Sequence, residues 1–141
     1  MVLNASFLEF LAAFFVKDAA TWINMQDAYF QEKGNVGGWV DIGYSAPGEK
    51  HTGYSYASNV FNYSGNDAAC GGSIACYWRA TAKQKLNDCE IGHGWQLDAT
   101  ANGTADANGV YANFVISTNT ANTDGNCKAL TASWDNLTGS H

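Results

Sequence analysis

Cysteine is the residue type most able to do chemistry in this 141-residue chain, which carries four, Cys70, Cys76, Cys89 and Cys127. Cys70 and Cys76 enclose the short flexible stretch Gly71-Gly-Ser-Ile-Ala75, and Cys89 and Cys127 bracket a segment expected to form a hairpin. Four cysteines in so short a chain, poor in other reactive groups, suggest two disulfides made in an oxidising compartment. Three connectivities are possible, and the un-nested one, Cys70 with Cys76 and Cys89 with Cys127, is expected. In the loop-entropy picture the long bridge contributes roughly 4 kcal/mol and the short one roughly 2, before native strain is subtracted. Zinc is the rival use of four thiolates, but no C-x-x-C spacing is present.

The other reactive side chains give weaker patterns. His51, His93 and His141 are scattered without H-x-H or H-x-x-x-H spacing, and the glycines around His93 in Gly92-His-Gly94 point to a turn leading into a strand. Ser55 and Ser73 sit in no G-x-S-x-G elbow. Asp41, Glu90 and Asp98 could pair across a glycosidase cleft, but nothing singles them out among 13 acids. The tract Asp98 to Gly109 places oxygen ligands at alternate positions, as does Asn122-Thr-Asp124-Gly125. An EF-hand loop would need Glu where Gly109 stands, so a hairpin tip is the better reading. The expectation is a chain that is not an enzyme and has no metal site and no cofactor.

Five Trp and seven Tyr open a binding role instead, because exposed flat rings stack on sugars. Trp22, Trp78 and Trp95 fall on faces expected to point inward. Trp39, Tyr44, Tyr54, Tyr56 and Tyr63 lie in a Gly/Ser/Asn-rich region and are the candidates for exposed, ligand-facing aromatics. Charge argues against nucleic acid: 13 acidic and 7 basic residues give a formal charge of −6, leaving no general attraction to phosphate backbones.

The elements that must position these residues begin with a helix. From Ala5 to Glu32 no Gly or Pro interrupts the chain, Asn4 or Ser6 can cap the start, and Gly34 can end it. Phe7, Leu8, Phe10, Leu11, Phe14 and Phe15 spread apolar surface around much of its first half, which therefore calls for burial on several sides. The second half is amphipathic, with Ala19, Trp22, Ile23, Gln26, Tyr29 and Phe30 against Asp18, Asn24, Asp27 and Gln31, and should lie across a sheet. Residues 34–73 read as a connecting loop with at most one strand. Alternation over Ile74 to Lys83, over Trp95 to Ala99 and over Val110 to Ile116 predicts strands, the last two forming a hairpin with a long tip. The tail from Cys127 to Leu137 could add an edge strand or cover the sheet. One domain, residues 1–141, is expected, with helix over 1–33 and an antiparallel sheet and disulfide-bounded region over 74–141. No stretch approaches the 18 apolar residues of a membrane span, since Phe7 to Val16 is broken by Glu9 and ends at Lys17-Asp18.

In this order the features resemble the type IV pilins and the related pseudopilins of type II secretion. The helix ends in Gln26-Asp-Ala-Tyr29-Phe30-Gln-Glu32-Lys-Gly34, similar to the Q-x-x-Y-x-x-x-x-G stretch with which many pilins leave their long helix. A Gly-rich connection, a run of antiparallel strands and a cysteine pair clipping the C-terminal segment follow. The Phe-Thr-Leu-Ile-Glu type opening of that family is missing, so the resemblance implies a headpiece lacking the first half of the helix, either cut from a longer chain or completed by a separate helix chain.

The resemblance implies an α+β fold, with one long N-terminal helix packed on a three- to four-stranded antiparallel sheet. It also implies a structural subunit that polymerises with copies of itself into an extracellular, cell-surface filament of a bacterium, with Phe7, Leu8, Leu11, Phe14 and Phe15 at the assembly interface. The alternative function is a secreted adhesin or carbohydrate-binding module that meets a surface polysaccharide through the loop aromatics.

Overall fold

The computed structural model describes residues 5–141, with side chains from Phe15 onward. Ala5–Lys33 forms one helix of 29 residues, α1, about 43 Å long at the usual rise. Gly34 ends it in the left-handed region (φ 69°), donating its N–H to the Phe30 carbonyl at 2.8 Å. Among the described residues no helix is long and apolar enough to cross a membrane.

The sheet corrects the expected architecture. Instead of three or four strands under a dominant helix, the fold is built mainly on a seven-stranded antiparallel sheet. Its strands are β1 (Glu49–Thr52), β2 (Ser55–Ala57), β3 (Phe61–Ser64), β4 (Cys76–Ala82), β5 (Gly94–Ala101), β6 (Phe114–Thr118) and β7 (Gly139–Ser140). Their order across the sheet is their order along the chain. Three of these strands come from residues 34–73, read from sequence as a loop. The same region also carries a one-turn helix, α2 (Trp39–Ile42). β1 is exposed at every residue, so it carries no apolar alternation, and β2 and β3 are too short to show a period of two clearly. β6 starts at Phe114, leaving Val110 outside the strand and exposed.

The longest two strands organise the core. β4 alternates perfectly, with Cys76, Trp78, Ala80 and Ala82 buried, and pairs with β5 in the register Trp78↔Leu97 and Arg79↔Gln96. Ala80, Ala82, Ala99 and Ala101 keep the inner face shallow, and Ala19 does the same for α1, so Phe15, Trp22, Trp78 and Trp95 fill the space between. Phe15 sits at the centre, its ring centroid 4.3 Å from Trp95, 5.1 Å from Trp78, 5.2 Å from Phe61 and 5.5 Å from Trp134. This corrects its placement at an assembly interface: Phe15 is part of the domain's own core. Phe7, Leu8, Leu11 and Phe14 lie outside the residues whose side chains are described.

Behind β6 the tail forms a short helix, α3 (Gly125–Lys128), and a 3-10 turn (Trp134–Leu137) that lays Trp134 over the core before β7 joins the sheet edge. At the other end of α1, the buried Gln26 fixes the exit of the chain. Its amide donates to the Gly37 carbonyl at 2.7 Å and accepts the Gly37 N–H at 3.1 Å. A side chain on Gly37 would collide with the Tyr29 ring, so Gln26, Tyr29 and Gly37 are locked together.

Candidate functional site

The aromatics expected to face a ligand are core residues. Trp39, Tyr44, Tyr56 and Tyr63 are buried and only Tyr54 is partly accessible. The polar ends of Trp39, Tyr44 and Tyr56 are bound internally. Trp39 donates its indole N–H to the Tyr77 carbonyl at 3.1 Å, and Tyr56 donates its hydroxyl to Ser45 at 3.1 Å. Trp78 donates to the Tyr44 hydroxyl at 2.8 Å, which donates in turn to Asp18 Oδ2 at 2.7 Å. A Gly-rich composition signals irregular backbone but says nothing about which way its rings face. Here α2 and the short strands fold the rings under themselves.

Asp18, expected on the solvent side of the helix, is the acceptor at the end of that chain. Burial holds its carboxyl above the ordinary carboxylate range, against the opposing pull of the Tyr44 hydroxyl. The Tyr44 phenol is pushed far above its usual range by the same burial and by the Asp18 charge, and Tyr63 is raised by burial and then by Asp18. This chain of three polar groups pins α1 to the segment after α2 and to β4.

Cys70–Cys76 and Cys89–Cys127 are both disulfides, the un-nested pairing, with Cα separations of 5.3 and 4.5 Å. Cys89 and Cys127 are completely buried and join the β4–β5 connection to α3. Asp41 accepts the Gly38 N–H, Glu90 pairs with Lys85 at 3.3 Å, and Asp98 accepts the Gln96 and Asn119 amides, so these three carboxylates serve separate local tasks. Asp106 holds the hairpin tip by accepting the N–H groups of Asn108 and Val110. His51 is exposed on β1, and His141 pairs with Asp27 at 3.0 Å while stacking on Phe114. Among the described residues no group of three or more His, Cys, Asp or Glu side chains is placed to hold a metal ion.

A polar cleft of about 450 Å³ opens where β4 and β5 end, lined by Arg79, His93, Thr120, Asn122, Thr123 and Asp124. Arg79 reaches it from the outer face of β4, opposite the Trp78 face. The far wall is the loop after β6, stapled to β5 by backbone bonds from Asn119 N–H to the Gln96 carbonyl and from Asp124 N–H to the Gly94 carbonyl. Thr123 reinforces it, its hydroxyl accepting the Gln96 N–H at 2.9 Å and donating to the Gln96 carbonyl at 3.2 Å.

Asp124 caps α3 with one carboxylate oxygen, which accepts from Asn126 and Cys127, and takes the His93 ring nitrogen Nδ1 on the other at 2.8 Å. The His93 contact, with the cap bonds behind it, holds the Asp124 carboxyl below its ordinary range. The linked Cys89–Cys127 bridge fixes both walls.

In the sequence His93 falls in a turn and Asp124 in an expected hairpin tip, and no local pattern joins them, because they are 31 residues apart and meet only through the sheet. The one available signal was that Arg79, the only arginine in the chain, falls on the outward phase of a strongly alternating strand. In its class the molecule is a disulfide-bonded antiparallel meander with a helix seated on one face and a polar cleft at one end. Compared with protein-family models, curated proteins and solved structures, the chain finds no match.

Proposed function

We propose that this chain is the globular headpiece of a structural subunit that polymerises into an extracellular, cell-surface filament, in the manner of the pilins and pseudopilins it resembles in sequence. The observation that carries the reading is the continuity of α1. Phe15, Ala19, Trp22, Ile23 and Gln26 are buried in the domain core, and the same unbroken helix carries Phe7, Leu8, Phe10, Leu11 and Phe14 ahead of that seat.

A helix apolar around much of its circumference requires burial on several sides. Packing it among the helices of other copies removes that surface from water at about 25 cal/mol per Å². The partners are other copies of this chain, with a separate helix chain as the means of completing a filament core. Two disulfides support an oxidising compartment and a cell-surface location.

Because Phe15 is a core residue, the test removes residues 2–14 and keeps it. The shortened chain is expected to melt as a folded monomer, while the full chain forms filaments visible by electron microscopy in material from its native surface and labelled by an antibody to the headpiece. Filaments formed equally well by the shortened chain, or a native surface that carries the protein only as a monomer, would refute the proposal.

A further inference from the structure

The geometry points to the cleft beside Arg79 as a binding site for a carboxylate-bearing sugar, such as a uronate unit of an acidic polysaccharide. Its polar lining divides into two sets. His93, Thr123 and Asp124 are tied by bonds within the protein and act as scaffold. The Arg79 guanidinium, the Thr120 hydroxyl and the Asn122 side-chain amide make no hydrogen bond to any described residue.

Buried donors are nearly always paired, yet the Arg79 Nε is shut off from solvent and meets no acceptor among the described residues. It shares that state with Trp22 Nε1, Thr118 Oγ1 and Trp134 Nε1, and of the four only Arg79 lines the cleft. Its strand neighbours do not answer it: Gln96, directly opposite, gives its amide to Asp98 at 2.9 Å, and Ser64 lies on the other side. The ion pairs among the described residues all involve other side chains. The sole arginine of an acidic chain is therefore held half-buried, uncommitted and aimed at a cavity.

The class of ligand follows from the charges and shapes present. A guanidinium offers a planar fork of donors that matches the two oxygens of a carboxylate. The Asp124 carboxylate in the same lining opposes an anion of higher charge, so a single negative charge suits the cleft better than a phosphate monoester. Thr120 and Asn122 offer the donors and acceptors that hydroxyl groups require. No Trp, Tyr or Phe lines the cleft, so a neutral sugar finds no stacking surface there. The site is distinct from α1, and its occupancy does not depend on assembly.

The probes are an oligogalacturonate and an uncharged oligogalactose of the same length, titrated into the full-length chain and followed by backbone amide shifts. The acidic oligomer is expected to move the amides of Gly92–Gly94 and Thr120–Gly125, and the neutral one to leave them in place. Arg79→Gln should weaken binding about tenfold or more, the scale of a lost charge-assisted pair of hydrogen bonds. Arg79→Lys preserves charge and strand packing but not the fork, so it should fall with the Gln variant, and Asn122→Ala should lose several-fold. Equal binding of the neutral oligomer, no binding of the acidic one, unchanged affinity in Arg79→Lys, or displacement by acetate or sulfate at the concentration of the sugar would each overturn the assignment.

Discussion

Replacing Phe15 by alanine separates a core residue from an assembly residue, because the two roles give opposite outcomes. The ring is 1% exposed and stands between Phe61, Trp78, Trp95 and Trp134. Phe→Ala in a core costs about 3–5 kcal/mol, the upper end applying where the surroundings cannot collapse into the cavity. Rigid aromatic walls from four different elements collapse poorly, and each aromatic pair adds about 0.5–1.5 kcal/mol beyond area alone.

A loss of about 4–5 kcal/mol is therefore expected, a large share of the roughly 5–15 kcal/mol that holds a domain together. At about 3–4 °C per kcal/mol for a chain of this size, the melting temperature should fall by about 12–20 °C. The assay is calorimetric or guanidinium unfolding of the chain with both disulfides intact. Thr21→Ala, at an exposed helix position, serves as a control expected to stay within about 0.5 kcal/mol. A loss below about 1 kcal/mol for Phe15→Ala, accompanied by failure to assemble, would refute the core assignment and return Phe15 to the interface between subunits.

Other perturbations test the remaining supports. Removing Cys89–Cys127 as a double alanine variant should cost about 4 kcal/mol and removing Cys70–Cys76 about 2, as loops of 38 and 6 residues imply. Equal losses in denaturant titrations would show that loop entropy is not the governing cause. Asp18 has a folded-state pKa above its unfolded value. Its contribution therefore favours the fold at low pH and is lost as pH rises through the raised pKa. Asp18→Asn keeps an oxygen to accept the Tyr44 hydroxyl without a charge to desolvate. It should melt a few degrees above the native chain at pH 7 and equal it near pH 3, and a lower melting temperature at pH 7 would contradict this.

The parts of the fold legible in the sequence are those with a long enough period. An uninterrupted run of helix formers closed by Gly34, and the seven-residue alternation of β4, each repeat their signal several times before a breaker ends them. β1, β2 and β3 last three or four residues and take their places from neighbours rather than from local pattern, so a Gly/Ser/Asn-rich region reads as loop. The same limit explains the aromatics. Composition registers Tyr44 and Trp39 as rings in a loop, whereas their burial depends on contacts 26 to 38 residues away, with Asp18, Trp78 and Tyr77. The un-nested cysteine pairing lies within reach of simple spacing because it closes the shortest loops. The cleft does not, since Arg79, His93 and Asp124 converge only when β4, β5 and the loop after β6 lie side by side.

The meander has two free edges, and both are poor templates for another strand. β1 presents Glu49, Lys50 and His51, all exposed, and its pairing register slips between Lys50 and Thr52. β7 is two residues long. Charge, irregularity and brevity are the devices by which sheets avoid joining edge to edge. If the chain polymerises as proposed, these edges steer the polymer away from the cross-β route, and its subunits should come apart in detergent without leaving an amyloid-like residue. The sheet would then be an inert cargo that many copies carry at high local concentration without sticking to one another.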